Sequence, residues 1–177
     1  MLQSLITSRT RLRILVKFFI SAANSGYLNG LAVEFGESTN AIRRELNNLS
    51  NAGYLVQSKN KNKIVYAANT KHTLFEVLQK IVRKHLGLEQ IVESVLLQIG
   101  DVNQIILIGD YALGRDTGTI KIILIADQVD TLYIHQLQRK LKNIIERTVL
   151  FYINNPVPNT GIVLYDKTNT DAVASDL

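Results

Sequence analysis

The chain of 177 residues predicts an α+β fold in two domains, 1–87 and 88–177, and three observations carry that expectation. Apolar residues recur at helical spacing along the front half, which closes on one short hairpin pattern. The back half alternates helical stretches with short apolar runs of buried-strand character, such as Ile105-Ile-Leu-Ile108 and Ile120-Lys-Ile-Ile-Leu-Ile125. Charge divides along the same line. Residues 1–71 hold ten Lys or Arg against three Glu, net +7, whereas residues 101–177 hold seven against nine acidic residues, net −2.

In chain order, Leu12, Leu15, Val16, Phe19, Ile20 and Ala23 fall on one face of a first helix, with Arg9, Arg13 and Lys17 on another. One face is expected in the core and the other basic and exposed. A turn at Asn24-Ser25-Gly26 leads to a short helix from Leu28 to Phe35, and Ser38 is placed to cap a third. In that third helix Ile42, Leu46 and Leu49 point inward, and Gly53 supplies the stop. Asn40, Arg44, Asn47 and Asn51 lie opposite, with Arg43 at the flank. Two strands, 54–58 and 63–67, surround a turn whose tip carries Lys59, Lys61 and Lys63.

Beyond the hairpin, Leu74, Val77, Leu78, Ile81, Val82 and His85 form one apolar stripe, and Gly87 separates it from a second made of Leu88, Ile91, Val92, Val95, Leu96 and Ile99. Helical periodicity names no partner, so the first stripe is either intramolecular core or the seam of a homodimer. After the two apolar strands, Leu132, Leu137, Leu141, Ile144 and Ile145 mark a helix that begins at Asp130. Two more strands, 149–153 and 161–165, and a loose polar tail complete the chain.

Composition bounds the function. The chain has no cysteine, which removes disulfide frameworks and thiolate metal sites and points to the cytoplasm. Its three histidines, His72, His85 and His135, are scattered. No run reaches the roughly 18 apolar residues of a membrane span, so a soluble protein is expected. A basic front half suits a polyanion, of which nucleic acid is the commonest.

The segment Ser38-Thr-Asn-Ala-Ile-Arg-Arg-Glu-Leu-Asn-Asn-Leu-Ser-Asn-Ala-Gly-Tyr-Leu55, followed by the basic hairpin, resembles the recognition helix and wing of winged helix-turn-helix regulators close to the ArsR type, over about residues 8–98. The resemblance implies a homodimer bound to double-stranded DNA. Asn40, Arg43, Arg44 and Asn47 then read bases, and Lys59, Lys61 and Lys63 contact phosphates. Arg9, Arg13 and Lys17 are secondary candidates.

The segment Ile105-Ile-Leu-Ile-Gly-Asp-Tyr-Ala-Leu-Gly-Arg-Asp-Thr-Gly-Thr-Ile-Lys-Ile-Ile-Leu-Ile-Ala-Asp127 resembles the core of the nucleotidyltransferase superfamily, in which a glycine-bearing turn leads to a strand with two carboxylates one residue apart. On that pattern Gly109 and Gly114 are the turn glycines, Asp110 replaces a serine, and Lys121 and Ile123 stand where the carboxylates would be. Neither is a ligand for a hard cation. The expectation is therefore a transcription regulator whose back domain is a catalytically inactive nucleotidyltransferase-like module, with no cofactor and no metal. That domain is then an interaction or effector module, with a protein as its candidate partner. Gly109, Gly114 and Arg115 are a candidate anion or nucleotide site. The alternative is a nucleotidyltransferase enzyme of the minimal or antitoxin type with displaced metal ligands, for which Asp110, Asp116 and Asp127 are the nearby carboxylates.

Overall fold

The computed structural model describes residues 6–99 and 101–168 and shows an α+β protein with six helices and two sheets. It divides into two compact units, Met1–His85 and Leu86–Leu177. The polar tail, residues 169–177, lies outside the described residues.

Unit 1 is assembled around helix α1 (Arg9–Phe19). Ser8 caps it, accepting from the Arg11 amide at 3.1 Å. Apolar side chains at positions 12, 14, 15, 16, 18 and 19 are all buried, so the helix is enclosed on nearly every side instead of showing one core face and one basic face. A short strand β1 (Ser25–Tyr27) stands where a plain turn was expected, pairing antiparallel with β3 (Lys63–Ala68). Helix α2 (Leu28–Phe35) ends at Gly36, whose φ of 63° lets the Glu37 amide reach back to the Ala32 carbonyl.

Ser38 then caps α3 (Thr39–Asn51), accepting from the Ala41 amide, and Ile42, Leu46 and Leu49 are buried as their spacing predicts. Gly53 at φ 81° lets the Tyr54 amide bond the Leu49 carbonyl, closing the helix. Strand β2 (Leu55–Asn60) joins β3 through Lys61 and Asn62, in the sheet order β1-β3-β2. In α4 (Phe75–His85) the Phe75 ring meets Phe19 at 5.9 Å. Val82 is the buried member of the predicted stripe, whereas Leu74, Val77 and Ile81 are exposed.

Unit 2 opens with α5 (Leu88–Ile99). Gly87 precedes it at φ 78°, and a Cβ there would stand 2.6 Å from Ile145 Cγ2, so only glycine lets the chain pass this closely. Strands β4 (Gln104–Ile108) and β5 (Thr119–Ile125) are the buried centre of a four-stranded sheet. Helix α6 (Thr131–Ile145), capped by Asp130, carries the chain across to β6 (Thr148–Ile153), which runs parallel to β5. Strand β7 (Ile162–Asp166) closes the order β6-β5-β4-β7, antiparallel to β4. On α6 the core face is Ile134, Leu137, Leu141 and Ile145. Leu132 and Ile144, assigned to it by periodicity, are exposed, because the first lies in the opening turn and the second points to the flank.

Among the described residues no helix is long and apolar enough to cross a membrane.

Candidate functional site

The turn between β4 and β5 concentrates the chemistry of unit 2. Gly109 (φ 71°) and Gly114 (φ 74°) both take left-handed backbone, which accounts for glycine at these two positions. Within the turn the amides of Leu113, Gly114 and Arg115 donate to the carbonyls of Asp110, Tyr111 and Asp110 at 3.1, 3.0 and 2.9 Å. Those three donors are thus directed into the turn, and its anion chemistry rests on side chains.

The side chains fall into two groups. In the first, Arg115 Nη2 pairs with Asp110 Oδ1 at 2.8 Å, both side chains being about 41% exposed. Arg115 Nε is buried without a hydrogen-bond partner. Lys121, opposite Ile108 in the β4–β5 ladder, lays its stem against Gly109, with Cδ 3.3 Å from where a Cβ on that glycine would stand. Lys121 is half-buried and Ile123 is fully buried.

In the second group, the fully buried Tyr111 donates its hydroxyl proton to Asp116 and accepts from the Gly118 amide and from Arg147 Nε, both at 3.1 Å. Arg147 Nη2 holds Asp116 Oδ2 at 2.7 Å. Burial alone would raise the Asp116 carboxyl pKa, but the bonds from Arg147 and Tyr111 and the Arg147 charge outweigh it and hold the pKa below its ordinary value. Burial, reinforced by the Asp116 carboxylate, pushes the Tyr111 phenol upward. This cluster is a clamp, joining the end of the turn to the residue before β6. The Gly118 carbonyl adds to it by accepting from the Thr148 amide at 3.0 Å.

A divalent cation does not fit this donor set. Lys121 repels one and Ile123 offers no lone pair. Of the displaced carboxylates, Asp110 is held by Arg115 and Asp116 by Arg147, while Asp127 is exposed beyond the far end of β5. Among the described residues no group of three or more His, Cys, Asp or Glu side chains is placed to hold a metal ion. At that far end of β5 a cavity of about 430 Å³ is lined by Gln98, Ile99, Gln128, Val129, Asp130 and Tyr133.

In unit 1, Asn40, Arg43, Arg44 and Asn47 are all exposed on α3, and Arg43 Nη1 donates to Asn40 Oδ1 at 3.1 Å. Lys59, Lys61 and Lys63 are exposed along the hairpin, with Lys63 Nζ 4.3 Å from the centre of the Tyr27 ring. The secondary candidates divide differently. Arg9 is exposed, but Arg13 pairs with Glu37 at 3.3 Å and donates to the Phe35 carbonyl at 2.6 Å. Lys17 is buried and bonded to Glu34 at 2.9 Å. Arg13 and Lys17 therefore hold the unit together and do not form the expected basic face. Sequence reasoning missed Glu45, which is buried on α3 and accepts from Ser8 and Arg11, each at 2.8 Å. Burial pushes its carboxyl up, yet these bonds and the charges of Arg11 and Arg44 hold it below the ordinary range.

No family model and no curated protein matches the chain. Three solved structures resemble it. A structure of a tri-AMPylated Shewanella oneidensis HEPN toxin in complex with an MNT antitoxin is similar over 51% of this chain and 78% of that one, at 18% identity and a TM-score of 0.38. A mutant of the toxin–antitoxin pair MntA-HpeT matches over 48% and 77%, at 19% identity and 0.41. A further crystal structure from Shewanella oneidensis matches over 52% and 80%, at 17% identity and 0.37. The first two of these structures are of toxin–antitoxin proteins, and none of the three is described as a winged-helix transcription regulator. Neither the regulator reading of this chain nor its expectation of an inactive back domain has a counterpart among these structures.

Proposed function

We propose that unit 2 is a nucleotidyltransferase-type module of the antitoxin kind that works on a protein partner. The observation that carries this reading is the strand, left-handed glycine turn and strand from Gln104 to Ile125, at the centre of a mixed sheet, with Lys121 beside the first glycine and Arg115 paired to the next residue, Asp110. The reaction it implies is transfer of a nucleotidyl group from a nucleoside triphosphate. An acceptor hydroxyl oxygen bonds to the α-phosphorus, the bond to pyrophosphate breaks, and the hydroxyl proton passes to solvent. Within this reading Arg115 and Lys121 offset the charge of the phosphates, and Gly109 and Gly114 shape the turn that receives them. The setting proposed is the cytoplasm.

The test uses the full chain, nucleoside triphosphates labelled at the α-phosphate, and a cell extract as the source of acceptor proteins. Label should appear on a protein only when the chain is present. Absence of label with all four nucleotides, with and without Mg²⁺ or Mn²⁺, would remove the transferase reading.

For unit 1 we propose a contact surface for duplex DNA made of Asn40, Arg43, Arg44, Asn47, Lys59, Lys61 and Lys63, separate from any regulatory role. Its support is that all seven are exposed, while the three glutamates of residues 1–71 are engaged elsewhere by Arg11, Arg13 and Lys17. For the exposed stripe Leu74, Val77 and Ile81 the proposed partner is a second copy. Antiparallel pairing of two α4 helices sets Glu76 of one against Lys80 of the other.

A further inference from the structure

The turn that bears Gly109 has positive charge and no place for a metal ion, and the two facts belong together. Lys121 is half-buried, its stem lies across the bare Cα of Gly109, and no described side chain pairs with its ammonium group. Arg115 neutralises Asp110, and its Nε is a buried donor with no acceptor. With the Asp116–Arg147 pair self-compensated, Arg115 and Lys121 stand against the one carboxylate of Asp110, a net charge of +1. Ile123, two residues beyond Lys121 on the same strand face, is apolar and buried. A half-buried lysine with no described counter-ion and an unsatisfied guanidinium donor are groups that an oxyanion completes.

We infer that this turn binds the phosphate chain of a nucleotide directly, without a divalent cation, with the Lys121 ammonium supplying the uncompensated charge and the Arg115 guanidinium donating hydrogen bonds. The choice of a nucleotide as ligand rests on the nucleotidyltransferase-type reading of unit 2. The cationic site itself does not. Mg²⁺ in solution pairs with the phosphates and lowers their charge, so it weakens binding here instead of permitting it.

The experiment is calorimetric titration of the full chain with inorganic tripolyphosphate and with ATP, in EDTA and again in excess Mg²⁺. Both probes should bind in EDTA, and Mg²⁺ should lower affinity about threefold to tenfold. Lys121→Ala should weaken binding at least about tenfold, while Lys121→Arg keeps it within about threefold, and unchanged melting temperatures show that both variants fold. Gly109→Ala, which puts a methyl 3.3 Å from Lys121 Cδ on left-handed backbone, should also weaken it. The inference is overturned by no binding in EDTA, by binding that needs Mg²⁺, or by full affinity in folded Lys121→Ala. Failure of the two readings is separable. Binding in EDTA without label transfer leaves this site standing and removes the transferase, whereas Mg²⁺-dependent transfer that survives Lys121→Ala does the reverse.

Discussion

Helices α1 and α3 both carry basic side chains and use them in opposite ways. On α1, Arg11, Arg13 and Lys17 are each bound to a glutamate from another element: Glu45, Glu37 and Glu34. On α3, Arg43 and Arg44 face solvent, and Arg44 reaches its neighbour Glu45 only at 4.0 Å. Residues 1–71 contain three acidic side chains, and all three are engaged by α1. The net +7 of that stretch therefore resides on seven exposed groups: Arg9, Arg43, Arg44, Lys59, Lys61, Lys63 and Lys71. A local surplus of cations becomes a surface only where the acidic partners have been drawn elsewhere, and a linear charge count cannot locate that.

The contrast between structural and available cations extends to unit 2 and is sharpest there. Arg147 is a clamp and Lys121 is not. Arg147→Met leaves Asp116 and Tyr111 without their shared donor and should lower stability by about 2–4 kcal/mol, a value reduced from that of a fully buried pair because Asp116 is about a third exposed. Urea denaturation measures it, and a loss below about 0.5 kcal/mol would erase the distinction between the two cations.

In unit 1, Glu45→Gln should cost about 1–3 kcal/mol, since it weakens the bonds to Ser8 and Arg11 at a buried site. The same group gives the comparison a pH axis. Glu45 and Asp116 are held below their ordinary values of 4.5 and 3.8. Folded-state values depressed in this way contribute stability that is fully present above those pH values and is lost as pH falls through the lower ones. Urea midpoints should hold steady from pH 7 to about 5 and decline below about 4.5. Glu45→Gln should flatten the upper part of that decline, and an unchanged profile would count against its ion pair.

Exposed cations should behave differently. Arg44→Ala or Lys61→Ala should change stability by less than about 0.5 kcal/mol. Arg44→Ala should weaken binding to duplex DNA by about 1–3 kcal/mol and relax sequence preference, while Lys61→Ala lowers the salt slope by about one unit. Anisotropy at two salt concentrations distinguishes them, and equal sequence-independent losses would merge the two roles. The smallest effect tests α4. Val77→Glu should leave the melting temperature nearly unchanged and shift light scattering from two copies to one, whereas a wild-type chain already monomeric at tens of micromolar would leave that stripe unpaired.

The sequence made some of this legible for a physical reason. Ile42, Leu46 and Leu49 recur with the helical period, and the runs at 105–108 and 120–125 are too short and too apolar to be anything but central strands. Strand β1 was not legible, because Ser25, Gly26 and Tyr27 form a strand only through their ladder with Val65, Tyr66 and Ala67. The basic face assigned to α1 was misread for a related reason: Glu34, Glu37 and Glu45 are 17, 24 and 34 positions from their partners. In the site, the vacancy of the carboxylate positions at Lys121 and Ile123 could be read directly. The Tyr111, Asp116 and Arg147 clamp could not, since Arg147 meets Asp116 only once the chain has crossed through α6 to lay β6 beside β5.

That crossover leaves β6 at the margin of its sheet. From Val149 to Ile153 the strand carries neither a charge nor a proline, the two usual guards of an unpaired ladder, whereas β7 on the opposite margin ends in Asp166. Unit 2 thus has one margin with a charged guard and one without. During synthesis or after heating, chains that have formed this sheet can stack through β6 before anything else covers it, which makes solubility at high concentration depend on this strand. A lysine at position 151, half-buried in the native sheet, would trade some native packing for resistance to clumping.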